Sequence, residues 1–158
     1  MITGQASRLT ESAASNYGRG QAAVSRSRPV KATPIEIVQA FLMHLNSGRI
    51  DQGMDMLAQD VFYHNVPLEP MYGREAVRAF AREFGMGSRL RVDWRTVSIA
   101  ANGATVLTER VDEFIAADGR KISIPLMGSF VVRNGAIAEW RDYFDLRELE
   151  RQMATLGM

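Results

Sequence analysis

The chain has 158 residues, 46% of them hydrophobic and 23% charged, with a formal net charge of +1. That is the profile of one globular domain around a single core, and the near-neutral balance offers little to nucleic acid or an anionic membrane. With no cysteine and only two histidines, His44 and His64, disulfides, thiol nucleophiles and thiolate metal sites are excluded and a zinc site is not expected.

Residues 1–33 differ from the rest. They are rich in Ser, Ala, Gly, Gln and Arg, with Arg8, Arg19, Arg26, Arg28 and Lys31 set against Glu11 alone. No apolar stretch of secretory-signal type follows. An Arg- and Ser-rich, acid-poor start also resembles an organelle transit peptide, but the reading adopted is a flexible basic extension that buries too little to order itself. No later run approaches the roughly 18–20 apolar residues of a membrane span. A cytoplasmic location without membrane or nucleic-acid partners is expected.

Residues 34–158 read as one domain. In "PIEIVQAFLMHLNSGR" the positions Ile37, Val38, Phe41, Leu42 and Leu45 follow helical spacing. Thr33 before Pro34, with Glu36 three residues on, predicts a capping box, and Gly48 a stop. A short helix is predicted over Ile50–Ala58, packed through Met54, Met56 and Leu57. "VFYHNVP" predicts a strand ended by Pro67 and a loop to Gly73. "GREAVRAFAREFG" predicts a helix with Ala76, Val77, Phe80 and Phe84 on one face. The period then changes to two. "LRVDWRTVSIA", "ATVLTERVDEFIA", "KISIPLMGSFVV" and "AIAEWRDYF" predict four strands, separated by the hairpin signals Asn102-Gly103, Asp118-Gly119 and Asn134-Gly135. "DLRELERQMATL" predicts a closing helix capped by Asp145.

Helices followed by an antiparallel meander predict an α+β fold. The expected architecture is a strongly curved, mixed but mainly antiparallel sheet. It forms a cone, with three to four helices closing a deep apolar pocket suited to a small ligand.

Parity then singles out residues. In "AIAEWRDYF" the even face holds Ala136, Ala138, Trp140, Asp142 and Phe144; the odd face is mostly polar. In "KISIPLMGSFVV" the even face is apolar throughout except for Gly128, so it points inward. Three-residue loops at 118–120 and 133–135 would set Asp112 opposite Leu126, and Leu126 opposite Asp142, in one inner row. The two Asp Cα atoms would then lie roughly 10 Å apart, with Arg110 one inner position along. Two-residue loops would invert the parity. The first hairpin stays open: a two-residue Asn102-Gly103 turn would bring Asp93 and Arg95 beside that row.

A buried carboxylate needs partners, and Arg110 can bridge two. Two carboxylates in one dry pocket with unequal access to a cation are driven toward different proton affinities, one an acid and one a base. Room between them suits a water molecule and a small electrophile, as in inverting glycosidases. Tyr63 and Asn65, two apart on one strand face, can hold a water in line with a base. An isolated Arg-x-Asp is most often a plain ion pair, so the weight falls on Asp142, alone on an apolar face. His64 faces the other way and reads as structural; Glu109, Glu113 and Arg141 read as surface residues.

The stretches "YHNVPLEPMYGREAV", "TERVDEF" and "WRDYFDLRE" together resemble the limonene-1,2-epoxide hydrolase family from about Pro34 to Glu150. Its cone fold is shared with ketosteroid isomerase, scytalone dehydratase, polyketide cyclases and binding modules. The resemblance implies cofactor-free, one-step hydrolysis of a small apolar epoxide by water, without a covalent intermediate. It implies Asp142 as general base, Tyr63 and Asn65 as water-orienting groups, Asp112 as general acid and Arg110 as the bridge. It also implies a pocket walled by Phe114, Ile124, Leu126 and Phe144, no metal, and a homodimer; Trp140, flanking Asp142, is expected to line the same pocket. The competing expectations are an isomerase or cyclase on the same fold, or a non-catalytic small-molecule-binding module.

Overall fold

A computed structural model describes residues 31–157. The basic extension expected over residues 1–33 lies, except for its last three residues, outside them. The elements run α1 (Pro34–Asn46), α2 (Ile50–Asp55), β1 (Leu57–Asn65), β2 (Met71–Tyr72), α3 (Arg74–Phe84), β3 (Leu90–Asn102), β4 (Thr105–Ala116), β5 (Lys121–Arg133), β6 (Ala136–Tyr143) and α4 (Leu146–Leu156). The strands form one sheet in the order β2-β1-β6-β5-β4-β3. β1 runs parallel to β6, and every other pairing is antiparallel. This is the mixed, mainly antiparallel α+β architecture anticipated above.

α1 starts as its sequence dictates. The Thr33 side chain accepts from the Glu36 N–H, and the Glu36 carboxylate accepts from the Thr33 N–H at 2.7 Å, satisfying donors that a helix start leaves free. Ile37, Val38, Phe41, Leu42 and Leu45 are buried on the concave side of the sheet. Side chains such as Phe41 and Leu45, fully buried there, each contribute about 1.5–3 kcal/mol. α2 is shorter than expected: it ends at Asp55, and Leu57 and Ala58 already belong to β1. The stretch before Gly73 contains the two-residue β2, paired to β1 through Phe62 and Tyr63. On α3, Ala76 is exposed, and Val77, Arg78 and Ala81 make the buried stripe.

Hairpin geometry sets what faces inward, and here the expected register changes. Between β4 and β5 the Ala116 N–H donates to Arg120 O at 2.9 Å. The loop is therefore Ala117-Asp118-Gly119, three residues as expected but starting one residue earlier. Between β5 and β6 only Asn134-Gly135 separate the paired Arg133 and Ala136. Both have positive φ, 53° and 81°, the requirement of the tight turn that Asn-Gly favours. A two-residue loop should invert the parity of β6. A bulge prevents it: Val132 pairs with Ile137 but Val131 with Glu139, leaving Ala138 as the extra residue. Ile137 and Ala138 are consequently both buried, and Trp140 and Asp142 still face inward. The first hairpin repeats the device. Its loop is Gly103-Ala104, and a bulge at Val97 leaves Trp94 inward, opposite Asp112, with Asp93 and Arg95 exposed.

α4 lies where β6 has already stopped. The carboxamide of Gln152 accepts from the Ser123 N–H at 2.7 Å and donates to the Ser123 carbonyl at 3.0 Å. One side chain thus pairs with β5 as a strand backbone would. Among the described residues, no helix is long and apolar enough to cross a membrane.

Candidate active site

β4 places Thr108, Arg110 and Asp112 on the inner face at alternate positions, exposed by 1%, 0% and 2%. β6 adds Trp140 and Asp142 beyond its bulge. The parallel pairing of β1 with β6 sets Tyr63 beside Trp140 and Asn65 beside Asp142. The row through Asp142 is therefore Asn65, Asp142, Gly128 and Thr108 across four strands. Asp112 pairs with Ile124 rather than Leu126, and Leu126 faces Arg110. The two aspartates occupy different rows, and Arg110 spans the difference.

The bridge is close. Arg110 Nε donates to Asp112 Oδ1 at 3.1 Å, and Nη2 donates both to Asp112 Oδ2 at 3.1 Å and to Asp142 Oδ1 at 2.9 Å. Nη1 donates to Thr108 Oγ1 at 3.2 Å. The guanidinium lies between the rings of Trp94 and Phe130, 5.4 and 5.5 Å from their centroids, where cation–π attraction offsets part of its lost hydration.

Electrostatics separates the two acids from ordinary ion-paired carboxylates. Burial pushes Asp112 up to about 7, against the pull of the Arg110 charge and its hydrogen bonds, and the Asp142 charge adds to the rise. Burial also raises Asp142, with Arg110 again pulling the other way. One guanidinium balances one anion, so a single proton shared by the pair leaves the triad neutral, the least costly state for a dry site. Tyr63 is held well above the usual phenol range by burial and then by the Asp142 charge. It is a neutral phenol that can donate a hydrogen bond.

These groups end a cavity of about 360 Å³, the size of a small-ligand site. Tyr63, Asn65, Asp112 and Asp142 reach its surface; Arg110 does not, and lies behind them. The expected walls Phe114, Ile124, Leu126, Trp140 and Phe144 all line it. Others were not foreseen. Trp94 arrives through the Val97 bulge; Phe80 and Phe84 come from α3, and Leu149 and Met153 from α4. The signal for Phe80 and Phe84 was present in their shared helix face. His64 points away and bonds the Leu68 carbonyl at 2.9 Å. Among the described residues, no three His, Asp or Glu side chains gather as a metal would need.

A bent sheet whose helices enclose an apolar cavity, with a charged triad at its end, defines a cone-fold protein with a small-molecule pocket. The sequence narrows that class. Residues 32–155 match the model of the limonene-1,2-epoxide hydrolase catalytic domain, and the chain belongs to that family. It is 34% identical over 112 residues to epoxide hydrolase EphG of Mycobacterium tuberculosis, covering 71% of this chain and 73% of that protein. Among solved structures, an LEH-like epoxide hydrolase of M. tuberculosis is similar at 31% identity and a TM-score of 0.66, over 78% of this chain and 94% of the other. A putative polyketide cyclase of Xanthomonas campestris pv. campestris follows at 27% identity and a TM-score of 0.66, over 75% and 95% of the two chains.

Proposed function

We propose that this protein hydrolyses a small apolar epoxide, terpene-like or cyclic, to a vicinal diol, without cofactor or covalent intermediate, in the cytoplasm. One observation carries the reading: two buried aspartates joined by one buried arginine, one of them pushed up to about 7. Asp142, the anion, takes a proton from a water held by Tyr63 and Asn65. The water oxygen bonds to a ring carbon as the ring C–O bond breaks, and Asp112 gives its proton to the departing oxygen. Asp142 ends protonated and Asp112 ionised, and one proton transfer from the first to the second, through solvent, restores the starting state. Arg110 holds both carboxylates throughout. Opening a strained ring in one step needs the base and the acid together, and the aromatic walls suit a cyclic hydrocarbon.

The similarity to a putative polyketide cyclase favours a second reading, an isomerase or cyclase that adds no water to its substrate. Single turnover with excess enzyme in water enriched with heavy oxygen separates the two. Hydrolysis puts the label into a diol; cyclisation puts none into the product; failure to open any of a panel of terpene and cycloalkene epoxides ends the hydrolase reading.

A homodimer is the expected assembly, paired through the outer face of the sheet. Met127 and Tyr143, directly opposite each other, and Leu107 are about half exposed there, an unusual apolar display for a surface strand face. Met127→Glu is expected to convert a dimer to a monomer in sedimentation; an unchanged mass would remove this face as the interface.

A further inference from the structure

The conformation of Gly128 does not account for its being glycine. Its φ is not positive, unlike those of the turn glycines, and the position is in mid-strand, where glycine weakens a sheet. Space accounts for it. A Cβ built there would stand 2.5 Å from Arg110 Nη1, 2.6 Å from Thr108 Oγ1 and 3.0 Å from Asp142 Oδ1. The register explains all three contacts, since Gly128 lies between Thr108 on β4 and Asp142 on β6. The missing side chain leaves a notch, and the end of Arg110 occupies it. Thr108, itself buried, meets Nη1 there with its hydroxyl oxygen. That leaves Nη2 to face both carboxylates.

We infer that Gly128 and Thr108 are positioning residues that act through Arg110: the notch and the hydroxyl fix the guanidinium across the strand so that it reaches Asp142 as well as Asp112. Neither residue lines the cavity, so neither touches substrate. Arg110 has two hydrogen bonds to Asp112 but one to Asp142. A guanidinium displaced from the notch keeps its neighbour on β4 and loses its partner on β6. The titratable and charged groups facing Asp142 are Arg110 and Asp112 from β4 and Tyr63 from β1. β3 and β5 present Trp94, Ile124, Leu126 and Gly128, α3 presents apolar residues, and α4 adds Glu150 at the exposed rim.

For the catalytic consequence, the inference rests on the hydrolase reading. Its test uses Gly128→Ala, Thr108→Val, which keeps shape and removes the acceptor, and Thr108→Ser, which keeps the acceptor. In the hydrolase, Gly128→Ala should lower kcat by about 100-fold and Thr108→Val by about 10-fold. KM should stay near wild type, the acidic limb of the kcat/KM profile should move to higher pH, and Thr108→Ser should restore both rate and limb. Carboxyl titration by infrared spectroscopy on protein labelled at aspartate reads the same change without turnover, as a protonated-carboxyl band that persists to higher pH in the Val variant. Folded Ala and Val variants with wild-type kcat and profile would overturn the inference. If Gly128→Ala does not fold, the Val and Ser pair decides alone. If the wild type opens no epoxide, the hydrolase reading fails and the infrared titration decides. A shifted band in Thr108→Val that returns in Thr108→Ser supports the positioning role; an unmoved band ends it.

Discussion

Two arginines in this molecule gather acids, with opposite results. Arg110 holds Asp112 and Asp142, whose side chains are 3% and 5% exposed. Arg78, on α3, holds Asp51, Asp55 and Glu75, whose side chains are 64–78% exposed. Asp51 is lowered by hydrogen bonds from Arg78 and Arg82, while Asp112 is pushed up to about 7 despite two bonds from its arginine. The number of arginine contacts does not decide which way a carboxylate moves; its access to water does. The Arg78 cluster fastens α3 to α2 through carboxylates that water still solvates. In the Arg110 cluster burial outweighs the arginine.

The largest test of that contrast is Asp142→Asn or Asp112→Asn. Each should lower turnover by about 10²–10⁴-fold, the usual worth of a general acid or base, with the fold retained by circular dichroism. Asp51→Asn should leave kcat unchanged, and a comparable loss there would erase the distinction. Next is Arg110→Met, which strands two buried carboxylates and should cost about 3–5 kcal/mol of stability above neutral pH. Protonating the carboxylates removes that penalty, so urea titrations of the variant should show stability recovering toward pH 5. A penalty of the same size at both pH values would mean that lost packing, not charge, is responsible.

A smaller effect follows from the raised Asp112. Its folded value lies above its unfolded one, so the native state binds the extra proton. Stability from this group is fully present below about pH 4 and is lost as pH rises through about 7. Asp112→Asn should flatten that slope in denaturant titrations. In the wild-type hydrolase the kcat/KM profile should fall on the alkaline side of about pH 7, where the acid has lost its proton. An activity plateau extending to pH 9 would contradict Asp112 as the acid. The smallest effect belongs to Arg78→Ala. It should lower Tm by about 2–4 °C, measured by differential scanning calorimetry, with kcat and KM unmoved.

What was legible in the chain followed from side-chain alternation. Asp142 among apolar residues and Arg110 with Asp112 two apart were readable as inner-face groups, Tyr63 and Asn65 as sharing one face, and the order of elements was readable except for β2. Register was not readable, because turn length and bulge act in opposite senses. The Asn134-Gly135 turn alone would have turned Asp142 outward, and Ala138 turns it back. An Ala inside a strand carries no local mark of being a bulge. The same holds for Val97, so Trp94 could not be assigned to the cavity before the pairing of β3 with β4 was known. The part played by α4 depended on a long-range contact, Gln152 to Ser123, that no periodicity encodes.

That contact has a consequence for how the cavity can change. Beyond Tyr143 the inner strand β5 has no β6 neighbour, and an unpaired strand edge invites association with other chains. Gln152 covers that edge at Ser123, and the same helix carries Leu149 and Met153 into the cavity wall. Anchor and wall are separate residues three apart and adjacent along one helix. Size and shape on the α4 side can therefore be altered at Leu149 and Met153 while Gln152 keeps the helix seated. The shape of the cavity can drift on a part whose attachment is held by a different side chain, leaving Arg110, Asp112 and Asp142 on β4 and β6 undisturbed.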